Sequence, residues 1–162
     1  MTSDHGKKSQ RRLVLAAVLA AISILTWSPP SGAEEIAGVV RSFQGSASVT
    51  RGDAVLPVTP GMKLHVGDVV STGSDSSLGM IFRDDSTLSL GPDSSLVVRE
   101  FLFSPADHKL GLVARLTRGT MAYLSGVLGK LAPEAVRFET PVATIGIRGT
   151  RFAVKAGEAL SR

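Results

Sequence analysis

The side chains able to do chemistry are few in this 162-residue chain, and they are scattered. Beyond the N-terminal segment the histidines are His65 and His108, 43 residues apart, with no Glu or His at ligand spacing. Each reads as a surface or satisfied histidine rather than a metal ligand. Asp84, Asp85 and Asp93 offer the oxygens that calcium prefers. The alternating ligands and closing glutamate of an EF-hand loop are missing, as is the Gly-Gly-x-Gly-x-Asp nonapeptide. Serines are plentiful, yet none lies in a Gly-x-Ser-x-Gly elbow. The absence of cysteine removes a disulfide framework, a thiolate metal site, a lipid-modified cysteine and a cysteine nucleophile. These residues point to a protein that is not an enzyme and that carries no cofactor and no metal.

The formal charge of +4 and the pI near 9.9 invite a nucleic-acid reading. Location argues against it. Lys7, Lys8, Arg11 and Arg12 oppose only Asp4 within residues 1–33, and the rest of the chain carries 14 basic and 13 acidic side chains. Aromatic residues make up 5% of the chain, too few for a base-stacking platform, so no nucleic-acid partner is expected.

The same N-terminal segment reads as an export signal. A basic stretch precedes the apolar run Leu13 to Leu25, then Pro29-Pro30 breaks any helix, and Ser31-Gly32-Ala33 supplies small residues before Glu34. A run of this length spans roughly 20 Å as a helix, short of a hydrocarbon core of about 30 Å. Cleavage after Ala33 and a periplasmic or secreted mature chain are therefore expected. An uncleaved leader, the alternative, would make the protein membrane-anchored. Arg11-Arg12-Leu13-Val14-Leu15 is similar to a twin-arginine signal, but no cofactor motif demands folded export, so general secretion is the preferred route.

From Ile36 to Val154 short apolar alternations are punctuated by Gly, Pro, Asp and Ser. Leu78, Met80 and Phe82 share one face of a period-two stretch, as do Leu88 and Leu90, Leu96 and Val98, and Val136 and Phe138. That pattern predicts half-buried strands. Met121–Leu131 is the one segment with helical potential, and Gly126 and Gly129 weaken it, so strand is the expectation there too. A repeat of Asp, Ser, Ser or Thr, then Leu begins at Asp75, Asp85 and Asp93. Its polar side chains suit turns, each leading into a strand at the leucine. The expected fold is all-β, a twisted solenoid or sandwich of short strands preceded by a signal-peptide helix.

The segments Leu64 to Gly73, Phe82 to Leu90 and, above all, Glu139-Thr-Pro-Val-Ala-Thr-Ile-Gly-Ile-Arg-Gly-Thr-Arg-Phe-Ala-Val154 resemble a FecR-like domain. The resemblance covers roughly Ile36 to Val154 and implies a domain at 34–162 after a signal peptide at 1–33. It implies a twisted β-solenoid outside the cytoplasmic membrane. In well-known members such a domain relays signals from an outer-membrane transporter to a cytoplasmic sigma factor. Only twelve residues precede the apolar run here, too few to fold the anti-sigma domain those members carry, so no sigma factor is expected as a partner. Members usually continue past the Gly-Thr-Arg-Phe strand, whereas this chain has eight residues after Val154. A lost repeat or a truncation would leave Phe152–Val154 as an uncapped edge.

The positions carried over from the family motif are Gly67, Asp68, Thr140, Pro141, Gly146, Arg148, Gly149, Thr150, Arg151 and Phe152. Gly67-Asp68 reads as a turn with glycine at positive φ and the aspartate steadying the corner. Gly146 and Gly149 read as a bulge or a close backbone approach. Arg148 and Arg151 suit an acidic partner, or else pair with Glu139 or another acid within the domain. Arg-Gly-Thr is no phosphate loop, since no Gly-rich run leads into a helix. The leading functional expectation is a module that binds another envelope protein by strand addition. The alternatives are a membrane-anchored component of transmembrane signalling and a glycan or cell-wall ligand module, the latter disfavoured because only Tyr123 remains for stacking on sugars.

Overall fold

The computed structural model describes residues 35–147 and 151–157. The chain divides at Ala33/Glu34 into two units, and the described residues all belong to the second. The signal-peptide expectation therefore lies outside the described residues, as do Arg148, Gly149 and Thr150.

Twelve strands follow in order: β1 (Ile36–Gln44), β2 (Ala47–Arg51), β3 (Ala54–Pro57), β4 (Lys63–His65), β5 (Val69–Thr72), β6 (Ser77–Phe82), β7 (Thr87–Leu90), β8 (Ser95–Ser104), β9 (Lys109–Leu124), β10 (Val136–Glu139), β11 (Thr144–Gly146) and β12 (Arg151–Ala156). The all-β expectation holds. One turn of α-helix, α1 (Leu128–Leu131), and two short 3-10 turns interrupt the strands. The Met121–Leu131 segment is thus divided: strand as far as Leu124, then a helical turn at Leu128. The helix forms because Asp84 meets its start, its carbonyl accepting from the Val127 amide (2.7 Å) and its carboxylate from the Leu128 amide (3.2 Å).

All twelve strands belong to one sheet, whose main path runs β3-β2-β5-β8-β9-β7-β6-β1-β4. Strand β9 organises it. Its first part pairs with β8 on one side and, in parallel, with β10 on the other; its last part pairs with β7 and β12. Gly119 stands at the junction with φ +87°, and a Cβ there would run into Ser94. Only glycine reconciles that conformation with that approach. The two halves of the sheet close over a single core containing Val40, Leu64, Leu78, Met80, Leu88, Leu112, Leu116 and Phe138, each at most 1% exposed. Every residue of the period-two series named above is buried within it.

The three repeats behave as turn-plus-strand units. Asp85 and Asp93 adopt left-handed φ values of 62° and 47°, a conformation that aspartate tolerates better than most residues. Strands begin one residue before each leucine, at Ser77, Thr87 and Ser95. The preceding serines, Ser76, Ser86 and Ser94, are buried and act as clips. Ser76 Oγ accepts from the Ser46 amide (2.8 Å), and Ser86 Oγ donates to Asp84 (2.6 Å). Ser94 Oγ donates to the Thr120 carbonyl (3.0 Å) and accepts from the Thr120 amide (2.9 Å).

Candidate functional site

Gly67 takes φ +94° in the turn between β4 and β5, and Asp68 closes the corner, as its residue types predict. Asp68 is 1% exposed. Arg51, from β2, grips it with two bonds: Nε to Oδ1 at 2.8 Å and an Nη to Oδ2 at 2.7 Å. The His65 backbone amide adds a third at 2.8 Å. Burial by itself pushes the Asp68 carboxyl up. The hydrogen bonds from Arg51 and the His65 backbone, with the Arg51 charge, outweigh it, so the group sits below its ordinary value. The arrangement holds β2, β4 and β5 together and leaves no open position for a ligand.

Thr140 and Pro141 form the tip of the β10–β11 hairpin. The Thr140 amide donates to the Ala143 carbonyl (2.8 Å), and Thr140 Oγ1 accepts from the Ala143 amide (3.0 Å). Pro141 stands at the second turn position, where its fixed φ is favourable. Val142 beside it is 88% exposed. Gly146 departs from expectation. It pairs in register with Arg137 at ordinary φ, with open space where a side chain would project. The bulge or close approach predicted for it is absent because β11 is an edge strand with nothing beyond it among the described residues.

Arg151 also departs from one reading. Glu139 is met by Arg99 at 3.4 Å instead. Glu139 lies beside Arg115 on the first part of β9, whereas Arg151 pairs opposite Leu124 at its far end. Arg99 reaches Glu139 because it is the extra residue of a bulge on β8. Arg151 is exposed and has no acidic partner among the described residues.

Phe152 points inward. Its ring lies 4.9 Å from Phe138 and 5.7 Å from Tyr123, and those two are 4.8 Å apart. This cluster fastens β12 to the core. Burial pushes the Tyr123 hydroxyl up, partly offset by the nearby Ser86 and Ser125 hydroxyls. The motif residues therefore occupy three places: the β4–β5 corner, the β10–β11 hairpin and β12. Packing joins only the last two, through Phe138 and Phe152. The residues that sequence reasoning missed are Arg51, Asp84 and the three clip serines. A serine repeated immediately ahead of each strand was the available signal for the last. Among the described residues no three His, Cys, Asp or Glu side chains gather as metal ligands would.

The family model described as FecR protein matches residues 68–162, more than half of the chain. The chain belongs to the FecR family. Its match begins at Asp68 and takes in β5 to β12, while β1 to β4, included in the resemblance read from the sequence, precede it. They nonetheless complete the FecR sheet: β1 and β4 extend one end, and β2 and β3 the other. The Arg51–Asp68 pair ties that preceding segment to the first matched residue. Comparison with curated proteins and with solved structures found no match.

At the far end of the FecR match, β12 pairs with β9 alone among the described strands. Three other described strands also pair with a single neighbour. β4 and β11 have three residues each, and β3 has four and ends in Pro57. With six residues, β12 is the longest of the described strands that pair with only one other strand. An open groove of about 500 Å³, lined by Ser89, Ala122, Ala153 and Lys155 among others, crosses the sheet beside it.

Proposed function

We propose that this FecR-family protein is an exported, non-enzymatic module of the cell envelope that binds another envelope protein by receiving a strand at the free edge of β12. Family membership suggests a role in the signalling that regulates iron transport. The observation that carries the reading is that β12 pairs with β9 alone among the described strands, with Phe152 packed into the aromatic cluster. A pre-ordered edge offers backbone donors and acceptors without the ordering cost a flexible segment would bring. The six-residue length favours β12 over the other described strands that pair with a single neighbour, which are short or closed by proline. The test is to append a strand that folds back onto β12 and to compare capture of envelope proteins with and without it. Loss of a specific partner supports the reading, and unchanged capture overturns it.

A further inference from the structure

We infer that the strand received by β12 alternates acidic and apolar residues, with two carboxylates four residues apart set against Arg151 and Lys155; this rests on the edge reading above. Along β12, Phe152 and Val154 are half-buried against the core, whereas Arg151, Ala153 and Lys155 face outward and are exposed. Side chains of an added strand stand directly opposite these, about 4.5–5.5 Å away between Cβ atoms. Carboxylates opposite Arg151 and Lys155 would be separated by four residues, about 13 Å along a strand. The positions between them face the exposed flanks of Phe152 and Val154, which apolar side chains would cover.

The surrounding sheet has the charge for this occupant. Its rows run Lys63–Val39–Ile81–Thr87–Leu124–Arg151 and Ser42–Gly79–Ser89–Ala122–Ala153. Strands β1, β4, β6, β7, β12 and the Gly119–Leu124 part of β9 contain no acidic residue and four cations: Arg41, Lys63, Arg151 and Lys155. The nearby acids sit in turns, at Asp75, Asp85 and Asp93, are buried, as Asp84 is, or are paired, as Glu35 is with Arg83. An anionic strand on β12 therefore meets Arg151 and Lys155 with no acid in the neighbouring strands to oppose it.

The same charges disfavour a second copy of this chain. Antiparallel pairing of two β12 strands about Ala153 sets Arg151 of each opposite Lys155 of the other. Like charges directly opposed across strands are destabilising, and lysine on an edge is a common guard against self-pairing. The edge is closed to its own kind and open to the opposite charge.

The test uses the full chain and two labelled seven-residue peptides with valine at the third and fifth positions. One carries glutamate at the second and sixth positions, the other lysine. The glutamate peptide is expected to bind about tenfold more tightly at low salt, with the difference shrinking as salt screens the pairs. The exposed double substitution Arg151→Glu with Lys155→Glu is expected to keep the wild-type melting midpoint and to reverse the preference. Equal binding of both peptides, or a preference that survives charge reversal, overturns the inference and leaves the edge reading standing. Failure of both peptides to bind both proteins overturns the edge reading itself.

Discussion

The rings of Phe152 and Phe138 meet edge to face with centroids 4.9 Å apart, and this contact joins the last described strand, β12, to β10, which pairs in parallel with β9. The family-motif phenylalanine is thereby a packing residue, and the groups it leaves available for recognition are its outward neighbours. Phe152→Ala is expected to cost about 2–3 kcal/mol, below the full range for a buried phenylalanine because the ring is half-exposed. Phe152→Leu should cost less than Phe152→Ala, since it keeps a branched apolar side chain against Phe138 and Tyr123 while losing the ring contacts. Denaturant midpoints of the two variants check both expectations.

Asp68 makes stability depend on pH in a defined direction. Its folded-state value lies below the ordinary 3.8, so the unfolded chain takes up the proton first as pH falls. The stabilisation is fully present above that ordinary value and is lost as pH falls below it through the folded value. Asp68→Asn should therefore be destabilised by about 2 kcal/mol at pH 6, the Arg51 side of the pair being partly exposed. The gap to wild type should narrow below about pH 4. Unfolding midpoints measured between pH 6 and pH 2 test this, and a gap independent of pH would contradict it.

At the β9 junction, Gly119→Ala combines a strained φ of +87° with a clash against Ser94. It is expected to destabilise by about 2–4 kcal/mol. Ser94→Ala removes the clip and leaves the Thr120 amide without that partner, at about 1–3 kcal/mol. Gly119→Ala should thus be the worse of the two in thermal or chemical unfolding.

Lys155→Glu places an acid opposite Arg151 in an antiparallel pair of two β12 strands. This single change is expected to promote self-association, detected as a concentration-dependent rise in mass by sedimentation or light scattering. Wild type at the same concentrations should not associate through this edge. A monomeric variant would contradict the guarding role given to Arg151 and Lys155.

Much of the fold was legible because a strand with one buried face writes itself as alternation. Leu78, Met80, Phe82, Leu88, Leu90, Leu96, Val98, Val136 and Phe138 are all buried where period two puts them. The turn at Gly67-Asp68 was legible from residue type alone. The Arg51 grip on Asp68 was not, since it joins residues 17 apart through sheet pairing that no local pattern encodes. Asp84 was weighed for calcium because carboxylates cluster there, but the tertiary fold turns it inward to hold α1. Gly146 was misread because an edge position relieves glycine of the crowding that usually explains it within a strand. The site was legible only in part. The last motif strand could be read from its residues, but the acid-free strands beside it come together only once distant parts of the chain are brought side by side.

The central claim is that β12 receives a partner's strand. The most direct measurement installs a photo-crosslinking side chain at exposed Ala153 in the full chain, with exposed Val55 on the β3 edge as the comparison. Adducts are then identified by mass spectrometry from irradiated native envelopes. The account predicts a discrete adduct from position 153 to an acidic, apolar-alternating segment of one envelope protein, with none from position 55. Adducts from position 55 alone, or none from position 153, would contradict it.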